Sequence, residues 1–413
     1  MVEIAVMGYG TVGSGVVEVL TKHADGIATR AKEQIDIKYI LDLRDFPGSP
    51  FEDKFVKSFD TILNDPEVRI VVEVMGGLHP SYDYVKKCLE NGKSVVTSNK
   101  ELVAAKGAEL LKIAQKNNLN FLFEASVGGG IPIIRPISQC LAANEVVEIA
   151  GILNGTTNFI LTKMIREKKG FDETLALAQK LGYAERNPAA DIEGADACRK
   201  ICILASLAYG KHVYPEQVHT EGITKITLRD VEYAAAWGGV IKLIGRVKRT
   251  KDKQKVQIIV CPMFLPRESQ LATVDDVFNG IMVRGDSTGD VVFYGKGAGK
   301  LPTASAVVAD VIDCVKHFKA RKYLYWDDGA PDYVEDYREN EVAMYVCVKA
   351  GADTAECADK LFGGVERLSR KDAQPGELAF ITPVMKEKIF AEKLASLSET
   401  GAEILNTIRI GDL

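Results

Sequence analysis

VEIAVMGYGTVG, residues 2–13, is the stretch that decides the fold. Ile4–Met7 is a short apolar run of strand type, and Gly8-Tyr9-Gly10-Thr11-Val12-Gly13 follows it as a G-x-G-x-x-G. Val12–Leu20 then continues with the character of a helix. In this strand–turn–helix setting the three glycines have separate tasks. Gly8 makes the tight turn, Gly10 lets the backbone approach a pyrophosphate on the helix N-terminus, and Gly13 permits close helix–strand packing. The pattern alone is weak, because a glycine-rich turn needs no ligand. Its position at the first strand–helix junction gives it weight.

Working outward, Ile35–Leu41, Ile70–Val74, Ser94–Thr97 and Asn120–Phe123 read as further short strands. Tyr82–Glu90 and Glu101–Lys116 read as helices between them. Short apolar strands alternating with helices predict a parallel sheet covered on both faces, a Rossmann-type doubly wound α/β domain. We assign it to residues 1–131, completed by about 298–320, where Thr303–Lys316 is an amphipathic helix. After Pro132 the pattern changes. A strand at Val146–Leu153 precedes helices at Thr156–Lys168, Phe171–Leu181 and Ala195–Tyr209. β-rich stretches follow at Val256–Phe264, Ile281–Arg284 and Val291–Tyr294, so 132–297 is expected to be an α+β catalytic and dimerisation domain. From Glu341 the order is βαββαβ, which predicts a ferredoxin-like domain over 338–413.

Bulk properties narrow the class. A chain of 413 residues should hold two or three domains, and 46% apolar with 26% charged residues is a globular composition. A net charge of −5 argues against nucleic acid as a partner. Val2–Met7 begins directly after Met1, which leaves no room for a signal peptide, and the apolar run Ile201–Ala208 is too short to span a bilayer. The eight cysteines are scattered without a C-x-x-C, as in a reduced, cytoplasmic protein. His23, His79, His212, His219 and His317 show no metal-ligand spacing.

Four places carry chemistry. The second strand ends near Asp42 and Arg44. An acidic residue there binds the ribose of NAD, whereas arginine accommodates the 2′-phosphate of NADP. Both cofactors stay open, with Arg44, Lys54 and Lys57 tilting the balance slightly to NADP. Lys54 and Lys57 also read as solvated loop charges. Lys100, in Val96–Lys100 (VTSNK), sits at the carboxyl end of a strand, the edge where such sheets bind ligands. Glu124–Pro132 (EASVGGGIP) has three consecutive glycines, whose carbonyls suit a hard monovalent cation or whose freedom suits a hinge. Finally, Gly182–Lys200 (GYAERNPAADIEGADACRK) gathers Glu185, Asp191, Glu193 and Asp196 ahead of Arg199 and Lys200. On a helix, Asp196 and Lys200 stand at i and i+4 on one face. Carboxylates beside a lysine can hold a substrate ammonium group and supply a proton. An acidic loop running into a helix start is the plainer alternative.

The chain closely resembles the homoserine dehydrogenase family. The matching motifs, in family order over residues 1–320, are GYGTVGSGV, VTSNK, EASVGGGIPII, ILNGTTNFIL, the Gly182–Lys200 segment and GKGAGKLPTASAVVAD. Tyr9 and the pair Arg186-Asn187 depart from the usual pattern without removing a residue given a role. The resemblance implies NAD(P)-linked interconversion of L-homoserine and L-aspartate 4-semialdehyde, in the route to threonine, methionine and isoleucine. It implies Lys200 as proton donor, with Lys100 holding and polarising the reacting group. Glu185, Asp191 and Asp196 would bind the substrate, bordered by Asn154, Gly155 and Thr156. Gly8, Gly10, Thr11, Val12, Gly13, Arg44, Lys100, Gly182, Glu185 and Gly299 would meet the dinucleotide. Glu124, Val127, Gly129 and Ile131 match positions that coordinate a structural sodium ion, largely through backbone oxygens. A homodimer or homotetramer is expected.

Residues 341–413 resemble an ACT domain, which implies a regulatory site for an amino-acid effector. The usual Asp-x-Pro-Gly turn after its first strand is replaced by Lys349-Ala350-Gly351-Ala352-Asp353, so assembly is the expected role of this unit. Two other readings are a regulatory protein that binds nucleotide without catalysis, and a dehydrogenase for another small aldehyde. The first should lack a lysine or the acidic cluster, and this chain keeps both. No cysteine lies in a motif for thioester chemistry, which argues against oxidation of an aldehyde to an acyl phosphate.

Overall fold

The structure is a computed structural model that describes residues 1–318, 320, 324–351 and 353–413. Its first sheet has six strands among the described residues, in the order Phe55–Val56, Ile35–Leu41, Val2–Met7, Val68–Glu73, Ser94–Thr97, Phe121–Leu122. Every neighbouring pair is parallel. The order runs 3-2-1-4-5-6 along the chain, the doubly wound arrangement read from the sequence. The central strands are apolar on both faces because helices cover both. One cover is Thr11–Lys22 against Lys300–Lys316, so the sheet recruits a helix from far along the chain. Gly15 allows that crossing: a Cβ there would lie 2.8 Å from the Lys300 carbonyl oxygen.

The second sheet has ten strands among the described residues and is mixed. Gly289–Lys296, Phe278–Gly285, Val146–Ile152, Gly239–Arg249 and Val256–Pro266 run side by side. Glu403–Ile410 then pairs in parallel with Val256–Pro266, through Met263 opposite Arg409 and Phe264 opposite Ile410. Met344–Lys349, Glu377–Ile381 and Glu366–Leu368 follow, all antiparallel, and the short strand His219–Thr220 pairs in parallel with Val256–Pro266 as the tenth. Within the C-terminal unit the strand order is 4-1-3-2 with helices Thr354–Phe362 and Glu387–Glu399, as in a ferredoxin-like fold. That unit is thus continuous with the central sheet, a join that a βαββαβ pattern does not reveal. The long strand Gly239–Arg249, its preceding helix Leu228–Trp237 and the edge strand Phe55–Val56 are elements that periodicity did not single out. Of the positions singled out in the sequence, Ala352 in the altered turn and Lys319 in the returning segment lie outside the described residues.

Candidate active site

At the sheet's carboxyl edge, the first glycine turn does what its sequence requires. Gly8 has φ +98°, and a Cβ on Gly13 would lie 1.9 Å from the Gly8 carbonyl oxygen. Gly10 caps helix Thr11–Lys22, and a Cβ there would meet nothing within 4 Å, leaving the helix N-terminus open to a phosphate. Thr11 and Val12 begin that helix. A cleft of about 360 Å³ runs from this turn over Asp42, Arg44, Lys57 and Met75. The Asp42 carboxylate accepts from the backbone N–H of Tyr9 and of Arg44, each at 2.9 Å. It also accepts from Arg44 Nε at 3.0 Å and Nη2 at 2.9 Å. The Arg44 hydrogen bond is the main reason its carboxyl is held far below the usual carboxylate range. Lys54, at the end of the short helical turn Glu52–Lys54, reaches Asp36 at 3.1 Å and does not line the cleft.

A second cleft, of about 460 Å³, lies between the parallel sheet and the mixed sheet. Lys100, Asn154, Gly155, Thr156, Gly182, Asp191, Asp196, Lys200 and Gly299 line it together. Helix Ala195–Tyr209 begins at Gly194, whose φ of +87° turns the chain from Asp191 into Asp196. Asp196 and Lys200 stand on one face, one turn apart, with Lys200 Nζ 2.8 Å from Asp196 Oδ2. The same ammonium donates to the Leu153 carbonyl at 2.8 Å. Lys100 Nζ reaches the other oxygen, Asp196 Oδ1, at 2.5 Å. Asn154 caps helix Gly155–Glu167 and donates through Nδ2 to Asp191 at 2.7 Å and to Asp196 at 2.9 Å.

One carboxylate between two ammonium groups sets the electrostatics. Burial opposes the Asp196 charge, but Lys200 and Lys100 outweigh it and hold the carboxyl well below its usual range. Burial dominates at Lys200, followed by the pull of Asp196 and the push of Lys100, and its ammonium ends below the ordinary lysine value. At Lys100 burial is outweighed by Asp196, so its ammonium ends above that value. Asp191 is raised by burial and by the Asp196 charge. The two lysines are therefore different acids: Lys200 gives up a proton more readily, whereas Lys100 stays a cation.

Not every residue singled out in the sequence joins this cluster. Glu185 is exposed, and its backbone carbonyl accepts from Gln179 Nε2 at 3.1 Å. Gly182 is at the rim with φ +78°, where the segment turns outward before Glu185. Glu124 is buried, and its carboxylate accepts from the N–H groups of Ile133, Ile134 and Arg135 at 2.6–2.9 Å. It anchors the turn after the glycine run. Gly129 and Gly130 pack against the 296–299 loop: a Cβ on Gly129 would lie 2.3 Å from the Gly297 carbonyl oxygen, and Gly130 N donates to the Lys296 carbonyl at 3.1 Å, while Val127 and Ile131 on either side are buried.

Two supports escaped the sequence. Glu73 is fully buried at the end of its strand, accepting from Met75 N at 2.9 Å, Gly76 N at 3.3 Å and Thr97 Oγ1 at 2.6 Å. Thr97 accepts from Asn99 N at 2.9 Å, and Asn99 caps the helix that Lys100 begins. The signal was a lone carboxylate in the buried run Ile70–Val74. The Leu153 carbonyl, a backbone group, left none.

A doubly wound dinucleotide fold whose carboxyl edge faces a lysine–carboxylate cluster defines a nicotinamide-dependent oxidoreductase. The family comparisons make it particular. Residues 8–124 match the homoserine dehydrogenase NAD-binding domain and residues 132–312 match the homoserine dehydrogenase domain. The homoserine dehydrogenase of Synechocystis is 44% identical over 320 residues, covering 76% of this chain and 73% of that protein. A crystal structure of a homoserine dehydrogenase from Thiobacillus denitrificans aligns over 100% of this chain and 98% of its own, with TM-score 0.91 and 33% identity. A hyperthermophilic archaeal homoserine dehydrogenase in complex with NADPH aligns with TM-score 0.65 and 28% identity, over 76% of this chain and 97% of its own. The chain belongs to the homoserine dehydrogenase family: it is an NAD(P)-dependent oxidoreductase acting on L-homoserine and L-aspartate 4-semialdehyde.

Proposed function

We propose that Lys200 is the proton donor to the aldehyde oxygen when the semialdehyde is reduced, and the base when homoserine is oxidised. The observation that carries this reading is the single carboxylate, Asp196, held between Lys200 at 2.8 Å and Lys100 at 2.5 Å. Reduction of an aldehyde needs a hydride at carbon and a proton at oxygen; the bound nicotinamide supplies the hydride chemistry. Burial makes Lys200 the more willing acid of the pair. Lys100 keeps its charge and polarises the oxygen. Asp196 already spends both oxygens on lysines, so Asp191 is the better-placed carboxylate for the substrate ammonium. Asn154 orients both, and Gly155 and Thr156 form the wall beside them. Glu185 serves as a substrate and nucleotide contact only if the rim segment folds inward. Replacing Lys200 by alanine tests the reading: turnover should collapse while nucleotide still binds.

For the cofactor, we favour NADP. Asp42 accepts four hydrogen bonds, which fills the capacity of a carboxylate and leaves it little to offer a ribose hydroxyl. Arg44 is exposed and stacks on Phe46 with its guanidinium carbon 5.2 Å from the ring; its Nε and Nη2 are held by Asp42, which leaves Nη1 to meet a 2′-phosphate. The glycine contacts Gly8, Gly10 and Gly13 with Thr11, Val12 and Gly299 would hold the rest of the dinucleotide. The carbonyls of Glu124, Val127, Gly129 and Ile131 are a hard-oxygen set suited to sodium, and Asn279 Oδ1, beside Gly297, is buried without a hydrogen-bond partner among the described residues. Sodium there would tie the glycine run to the 296–299 loop.

The remaining expectations complete the proposal. The domain limits are 1–131 with 298–320, 132–297, and an ACT-like 338–413. An amino-acid effector would bind the last of these, which threonine titration of the intact enzyme tests. Assembly as a homodimer or homotetramer fits the outermost strand Gly289–Lys296, where Tyr294 is exposed, and light scattering of the purified protein reads it directly. Among the described residues no helix is long and apolar enough to cross a membrane, which suits a cytoplasmic enzyme.

A further inference from the structure

The strand Gly239–Arg249 carries a lysine that the chemistry above leaves unused. Lys242 is fully buried, an expensive place for an ammonium group. Burial lowers its affinity for the proton, and Asp275 opposes that. Its Nζ donates to the Val274 carbonyl at 2.5 Å, Asp275 Oδ1 at 3.1 Å and Asn158 Oδ1 at 3.2 Å. Asn158 turns its amide to the same loop, donating through Nδ2 to the carbonyls of Val274 at 3.0 Å, Asp276 at 3.1 Å and Phe278 at 3.1 Å. Thr162, one turn further on, accepts from Asp276 N at 3.0 Å. Asp276 itself has φ +53°, an unusual conformation for a residue with a side chain.

These contacts hold the loop against helix Gly155–Glu167. The result is felt at Val277, which lines the cleft beside Asn154, Asp191 and Lys200. Val277 sits so close to Gly155 that a Cβ there would lie 2.7 Å from its carbonyl oxygen. One helix therefore references both sides of the cleft: Asn154 at its cap fixes Asp191 and Asp196, and Asn158 one turn later fixes the loop that carries Val277.

We propose that Lys242 is a positioning residue that clamps the 274–278 loop on Asn158 and thereby sets the wall that measures the length of the substrate's carbon chain. The inference rests on the cleft being the homoserine site. Its ligand class is a short hydroxy amino acid whose ammonium meets Asp191. Releasing the clamp loosens one wall without touching Lys200, Lys100 or the glycine turn.

The test uses the full-length enzyme and two variants, Lys242→Met and the double variant K242M/D275N. The double variant removes both charges, so no buried charge is left unpaired and little stability is lost. In both, the KM for homoserine should rise about tenfold or more, the scale of a single methylene's worth of fit. Preference over the hydroxy amino acid one methylene longer should fall by a similar factor, with kcat and the KM for NADP little changed. Recovery of the homoserine KM in the double variant would overturn the proposal, because charge balance and stability would then explain the single variant. So would equal losses in kcat and nucleotide affinity, or no change in either variant. Homoserine turnover by the unaltered enzyme, measured alongside, separates these outcomes from a wrong substrate.

Discussion

At the residue scale the site is built around Asp196, and the two lysines it binds have opposite tendencies. A lysine whose ammonium is destabilised by burial loses its proton at lower pH than the free side chain, whose value is about 10.4. With Lys200 as the proposed base, homoserine oxidation draws on its neutral form, so the rate should rise with pH and level off below that value. Asp196 favours the ammonium form of Lys200. Replacing Asp196 by asparagine should therefore move the rising limb of kcat to lower pH, while the KM for homoserine increases. A limb that moves to higher pH would show that another group titrates. The cofactor residues give a second expectation. Arg44→Ala should raise the KM for NADP by roughly 10-fold or more, as expected for a lost charge-assisted contact, and leave that for NAD much closer to its original value. Equal changes for both cofactors would remove Arg44 as the discriminating group.

At the scale of elements, Gly13 is the most exacting position. A Cβ 1.9 Å from the Gly8 carbonyl cannot be accommodated without moving the helix off the strand. Gly13→Ala should abolish nucleotide binding or stable folding, whereas Gly10→Ala should fold normally and fail only with nucleotide, because its space is empty of protein. Thermal melts with and without NADP distinguish the two. The same elements show what was legible in the sequence. Five of the six strands of the parallel sheet, and the longer helices between them, announced themselves through apolar runs and the glycine turn. The i, i+4 spacing placed Asp196 and Lys200 on one helical face. Lys100 came from the edge rule for parallel sheets. Three features were not legible. Gly239–Arg249 carries glycine and charged residues among its apolar ones, which hides a strand whose lysine is buried by tertiary contacts. Glu73 looked like one charge in an apolar run, and its hydrogen bonds come from a turn and a neighbouring strand. The exposed placement of Glu185 depends on the turn at Gly182, which spacing alone does not fix.

At the scale of the whole molecule, the C-terminal unit is joined to the catalytic part by a shared sheet and by a set of polar bonds. Arg409 pairs with Glu387 at 2.7 Å and with Glu221 at 2.9 Å, Arg370 reaches Glu232 at 2.7 Å, and Tyr233 donates to Glu377 at 2.7 Å. Tyr345 and Asn406 both meet the buried Asp230. Removing the chain after Tyr337 would bare the edge of Val256–Pro266 and strand buried charges, each an expensive defect. Such a truncated protein should melt well below the full chain and tend to aggregate. A truncated chain with the full chain's melting temperature would show that the unit is an independent appendage. The Glu221 contact has a further consequence, since Ile223 N in the next turn bonds the Ile192 carbonyl at 2.8 Å, directly after Asp191. The C-terminal strand and the acidic segment are thus two contacts apart.

The most direct test of the account is turnover and nucleotide binding of Lys200→Ala beside the unaltered enzyme, with homoserine and NADP. The account predicts a fall in kcat on the order of 10²–10⁴, the usual worth of a positioned acid–base group, with NADP binding within a few-fold of the original. Turnover that survives the substitution, or nucleotide binding that is lost in step with it, would contradict the role given to Lys200.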